Sequence, residues 1–204
     1  MNNQLSLSEF LSSESCWNEL KSLLNKRSLR SDESWSESRK LLETLVREDN
    51  PFQDEVTEDT LAIEILLELG FDPSAEDNYI IGCAICGNHP EAVRLLLTDG
   101  RVDPTTHDCE SFLDACVEGY TEVVEILLED GRVDPSIGNN YAIAFSCEDG
   151  HLDVVELLLA DPRVDPAANN NYAVRTVRDY YPEILQLLCQ DPRVNPTAED
   201  ELEW

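Results

Sequence analysis

The dipeptide Asp-Pro recurs at Asp72-Pro73, Asp103-Pro104, Asp134-Pro135 and Asp165-Pro166, each step being 31 residues, with a relaxed fifth copy one residue early at Asn195-Pro196. The intervening sequence returns with it: VEILLEDGRVDP (124–135), VELLLADPRVDP (155–166) and LQLLCQDPRVNP (185–196) align residue on residue. Self-similarity at a fixed period of this size means a stack of small units. None of them buries its apolar face alone, and each is completed by its neighbours.

One unit reads from residue 139 to 166. Asn139 or Asn140 is expected to cap a first helix through its side-chain oxygen. A short helix rich in small residues then carries Ala142, Ile143, Phe145, Ser146 and Cys147. Gly150 suits the left-handed residue that ends such a helix. His151 and Asp153 open a second helix, whose Val154, Val155, Leu157, Leu158 and Leu159 form a broad apolar face. Asp161-Pro162 ends it, and Asp165-Pro166 makes a turn in which proline presets φ. The class expected is therefore all-α.

This helix–turn–helix–turn unit resembles the ankyrin repeat, through Gly150-His151, the Val154–Leu159 run and the Val164-Asp165 step. The period of 31 is shorter than the usual ankyrin unit, and Asn-Tyr-Ala-Ile replaces the family's Thr-Pro-Leu-His. The N-Y-A-I and R-V-D-P phrasing is similar to arrays of protists and large DNA viruses. The resemblance implies an ankyrin-like helix-turn-helix solenoid over residues 51–196. A degenerate first unit spans 51–71 and repeats span about 72–102, 103–133, 134–164 and 165–194. Residues 1–50 are expected to form a helical N-terminal cap or accessory segment, and 197–204 an acidic tail. Arg175, Arg178, Asp179, Tyr180 and Tyr181 suit a polar C-terminal cap, because the last unit has no neighbour to cover it.

Charge narrows the function. The chain of 204 residues carries 43 Asp and Glu against 14 Lys and Arg, a formal net charge of −29. All three Lys, at positions 21, 26 and 40, precede residue 51, and beyond it the only cations among Lys and Arg are seven Arg. Such a chain has no basic patch for direct nucleic-acid or anionic-membrane binding. No run of about 18 apolar residues is long enough to span a bilayer. The N-terminus lacks the pattern of a signal peptide, and seven unpaired-looking Cys suggest reduced thiols. A cytoplasmic or nuclear setting, rather than secretion, is expected.

Chemical motifs are sparse. Cys83-x-x-Cys86 is the one metal-like or redox-like pair, without a second pair to complete a zinc set. Packed thiols are the expected reading, and no cofactor, metal or catalytic residue is assigned. The histidines His89, His107 and His151 come one per repeat, with no nucleophile motif beside them. Tyr79, Tyr141 and Tyr172 share one repeat position and are expected to pack between units.

The resemblance implies a groove lined by turn tips and first helices. Its candidate partner-binding residues are Glu76, Asp77, His107, Asp108, Glu110, Glu118, Asn139, Glu148, Asp149, Asn170 and Asp179. A row of acids there predicts a protein partner with a basic surface. Two alternatives accompany this reading. One is an acidic decoy that imitates nucleic-acid charge to sequester a basic protein; the other is an adaptor for ubiquitin machinery, suggested by the lysine-free repeats. Self-repulsion at −29 favours a monomer.

Overall fold

The computed structural model of the chain describes Thr60, Ile63, Glu64, Leu67 and residues 72–178 and 180–194. The helices expected in residues 6–48, most of the segment 57–70 and the acidic tail lie outside the described residues. The chain divides into two compact units, Met1–Asp103 and Pro104–Trp204.

The described residues form eight helices and no strand. In the first unit these are α1 (Ala75–Cys86) and α2 (Pro90–Leu97). In the second they are α3 (Thr106–Val117), α4 (Thr121–Asp130), α5 (Ile137–Glu148), α6 (Leu152–Ala160), α7 (Ala168–Val177) and α8 (Pro182–Gln190). First helices begin at 75, 106, 137 and 168, so the 31-residue step of the sequence is the step of the backbone. Within the first unit α1 packs on α2. Within the second, α3 packs on α4, α5 on α6 and α7 on α8; α5 also packs on both α3 and α7, and α6 on both α4 and α8.

The core repeats with the same step, one residue shorter at the last second helix and the valine after it. Ile81, Phe112, Ile143 and Val174 are buried on the first helices, and Leu96, Leu127, Leu158 and Leu188 on the second. Val102, Val133, Val164 and Val194, each following an arginine, are buried as well. The prolines of all four Asp-Pro dipeptides are buried. Proline has no N–H to leave unsatisfied there. The second-helix face is narrower than expected, for Val154, Val155 and Leu158 are buried whereas Leu157 and Leu159 are half-buried.

The first helices start differently from the sequence expectation. Each opens with a short left-handed turn: Asp77 and Asn78 in α1, His107–Cys109 in α3, Gly138–Asn140 in α5 and Asn169–Asn171 in α7 all have φ between 54° and 65°. That region costs an ordinary residue roughly 1–2 kcal/mol, and Asn, Asp and Gly tolerate it best. Nine of these eleven positions are Asn, Asp or Gly, so local chemistry selects the turn. It closes through a backbone bond from the Asn140 N–H to the Ser136 carbonyl at 2.9 Å, and the equivalent bond at Asn171 measures 3.0 Å.

Asn139 and Asn140 are thus not helix caps. Ser136 takes the cap position and makes no side-chain cap bond. The Asn140 side-chain oxygen instead accepts the backbone N–H of Asp165 at 2.7 Å, across 25 residues. Asn78 accepts from the N–H of Asp103 at the same distance and separation. Both asparagines are buried, so each bond ties a first helix to the following Asp-Pro step.

A second repeated device uses charge. Asp99-x-Arg101, Asp130-x-Arg132, Asp161-x-Arg163 and Asp191-x-Arg193 each close a fork-to-carboxylate clasp, with ion-pair distances of 2.6 Å in all four. The backbone N–H of the arginine adds a bond to the same aspartate, at 2.9 Å for Arg163 and for Arg193. Two of these arginines also reach the preceding pair: Arg163 Nη1 donates to the Val133 carbonyl at 2.9 Å, and Arg193 Nη1 to that of Val164 at 2.8 Å. In the Asp-Pro turns, Asp72 and Asp134 accept the N–H and hydroxyl of Ser74 and Ser136, with hydroxyl distances of 2.7 Å. The backbone bonds of those serines measure 3.0 and 2.9 Å.

Two outcomes follow from these bonds. Asn140→Ala loses a buried acceptor and strains a left-handed residue, so urea unfolding should show a loss of about 2–4 kcal/mol; Asn140→Gly keeps the backbone and should lose about half of that. The clasps set an acid limit. Hydrogen bonds from the Arg101 guanidinium, then from its backbone N–H, hold Asp99 down to about 2. Bonds from Arg132, Arg163 and Arg193 lower Asp130, Asp161 and Asp191 in the same way. A carboxylate depressed in the folded state stabilises fully above its unfolded value near pH 4, and that stabilisation is lost as pH falls through the folded value. Melting curves between pH 5 and 2 should therefore fall more steeply for the wild type than for a double variant Asp161→Asn, Asp191→Asn, measured as the difference between the two proteins.

Candidate functional site

In the second unit the left-handed turns and first helices place most of the candidate residues at the surface. His107 and Asp108 lie on the turn of α3, Asn139 on that of α5 and Asn170 on that of α7, all exposed. Glu110 is exposed near the start of α3. Glu118 at its C-cap, Glu148 on the last turn of α5 and Asp149 at the C-cap of α5 are exposed as well. Asp77 is exposed in the first unit. The side chain of Glu76 and the whole of Asp179 lie outside the described residues.

The turn explains this display. It faces its last residue inward, as with Asn78, Cys109 and Asn140, which are buried, and its middle residue outward, as with Asp77, Asp108, Asn139 and Asn170. Asn139 also contacts the next pair: its side-chain amide bonds the Asn169 side-chain oxygen, and Asn169 Nδ2 donates to the Asn139 carbonyl at 3.2 Å.

Glu118, Glu148 and Asp149 sit at helix C-termini, where the helix dipole is negative and favours cations. No basic residue occupies the last turn of α3 or α5. Acids there cost helix stability and concentrate negative potential at one end of both helices. One Glu148 oxygen accepts the Tyr172 hydroxyl at 3.2 Å. Desolvation, and then this carboxylate, hold the Tyr172 phenol above its ordinary value.

Packing between units, expected at the shared tyrosine position, holds for Tyr172, which is half-buried and bonds Glu148 of the preceding pair, whereas Tyr79 is 42 % and Tyr141 46 % exposed. The sequence held the signal: Glu110 occupies the same repeat position, and a position that accepts glutamate faces water. The Tyr141 ring packs at 5.3 Å and 42° against Phe145. It also lies over Gly138, where a Cβ would collide with it. The Tyr172 ring carries Arg175, whose guanidinium carbon is 5.9 Å from the ring centroid.

The histidines divide. His107 is exposed on its turn, while His89 and His151 precede second helices. His151 Nε2 donates to the Val117 carbonyl at 2.7 Å and its ring covers Gly119, so this side chain joins two pairs. Cys83 is half-buried and Cys86 exposed on α1, while Cys116 and Cys147 are buried at one repeat position. Burial pushes the Cys147 thiol up to about 12 and raises Cys116 as well. Among the described residues no group of three or more His, Cys, Asp or Glu is gathered as a metal site, and no helix is long and apolar enough to cross a membrane.

Comparison with protein-family models and with curated proteins gave no match. The functional reading therefore stands on the residues themselves.

Thiol chemistry separates the cysteines. Brief alkylation of the native chain at pH 8 should modify the exposed Cys189 and spare Cys116 and Cys147 until denaturant is added. Peptide mass spectrometry reads the ratio, and early labelling of Cys116 would contradict the packing described.

Proposed function

We propose that the chain is a non-catalytic protein-binding module, an ankyrin-like array whose acidic first-helix face captures a basic region of another protein. The observation that supports this most is the placing of Glu118, Glu148 and Asp149 at the negative ends of α3 and α5. These acids oppose the helix dipole, so stability does not account for them, whereas a partner's cations would meet carboxylate and dipole together.

The arginines sharpen the point. Four of the seven beyond residue 50 are held in the Asp-x-Arg clasps, and Arg175 lies over Tyr172. Most of the positive charge of this part is thus committed within the fold, and the acids dominate what a partner meets. Long-range attraction of that kind raises association rates and weakens with salt.

The test is the triple variant Glu118→Lys, Glu148→Lys, Asp149→Lys, compared with wild type for binding to a basic protein captured at low salt. Binding should fall by at least tenfold, while the melting temperature holds or rises, since lysines suit helix C-termini. Undiminished binding by a folded triple variant would overturn the assignment of this face.

A further inference from the structure

The last described helix pair places its own cation over its own tyrosine. Arg175 follows Tyr172 by three residues on α7 and lies over its ring at 5.9 Å, while the Tyr172 hydroxyl bonds Glu148. Residues three apart on a helix are neighbours, which explains the contact. On α5 the same arrangement recurs without the cation. Tyr141 takes the place of Tyr172, but the residue three positions on is Ala144, which is buried and carries no charge. Phe145 and Gly138 pack against the Tyr141 ring, and Tyr141 as a residue is still 46 % exposed. The first helices carry exposed acids: Glu110 on α3 at the same repeat position, and Glu148 at the end of α5.

We propose that Tyr141 is the docking platform for an arginine side chain of a partner peptide. The partner's guanidinium takes over the Tyr141 ring the place that Arg175 takes over Tyr172, and the acidic first-helix face attracts its charge. This deepens the acidic-face reading, on which it rests, by naming the residue recognised. Arginine fits better than lysine because its planar, weakly hydrated guanidinium stacks on an aromatic face and forks to carboxylates, whereas an ammonium keeps its water. An exposed tyrosine on a rigid helix loses little freedom on binding, so the contact is not offset by ordering.

The experiment uses the full chain and two fluorescein-labelled peptides of equal length and charge, built from glycine and serine with either arginines or lysines. Anisotropy titrations are run at low and at physiological salt. The arginine peptide should bind more tightly, and Tyr141→Ala should weaken it roughly threefold to tenfold with a smaller effect on the lysine peptide. Tyr141→Phe should keep most of the preference. Circular dichroism melts check the fold, and Tyr141→Gln serves as a second ring-less variant if alanine unfolds, since this position accepts Glu110. Equal binding of both peptides, unmoved by loss of the ring but weakened by reversal of Glu118, Glu148 and Asp149, would overturn the arginine site and leave the acidic face standing. Absence of binding by either peptide at low salt would overturn both.

Discussion

Where α5 meets the Asp-Pro step that follows its helix pair, a side-chain amide takes the place of a backbone carbonyl. Asn140 is buried in a left-handed conformation, and its oxygen accepts the N–H of Asp165, just as Asn78 accepts that of Asp103. A helix and a distant turn have no ladder of backbone bonds to align them. The amide supplies one fixed point, and the aspartate it anchors forms its own turn: Asp165 accepts the Ala167 N–H at 3.0 Å. The left-handed turn of α5 faces Asn140 inward to make that bond and leaves Asn139 outward. The clasping arginines add a second tie, since Arg163 and Arg193 bond carbonyls of the preceding pair.

These ties also shape the electrostatics. An arginine committed to an aspartate two residues away and to neighbouring carbonyls is unavailable to balance acids elsewhere. The chain builds its joints from cations and leaves carboxylates on the first helices, some at helix ends that disfavour them. Stability and recognition therefore draw on different residues. The joints lie in the Asp-x-Arg and Asn positions, and the surface proposed for binding lies in Glu110, Tyr141, Glu148 and their neighbours. A tyrosine that already holds an arginine within the chain shows the chemistry that its exposed counterpart can offer a partner.

Much of the helical order was legible in the sequence, because the apolar residues recur with the same step as the helices. Gly150 adopts φ 82° as its place after the first helix required. The asparagines were misread for a physical reason. A side-chain oxygen near a helix start commonly caps that helix, and sequence alone does not reveal that a backbone N–H 25 residues away comes within reach. Repetition suggests packing for the tyrosines, which Tyr172 meets in part, but Tyr79 and Tyr141 face water, as Glu110 at the same position indicates.

Periodicity, charge and local conformational preference are properties of the chain itself. They determined an all-helical repeat with a 31-residue step, turns at Asp-Pro, left-handed residues drawn mostly from Asn, Asp and Gly, and a strongly acidic surface. Which polar groups join the repeats, and which aromatic rings stay in water, were decided by tertiary packing. Those outcomes depend on distances between residues far apart in sequence, and only the assembled helix pairs set such distances.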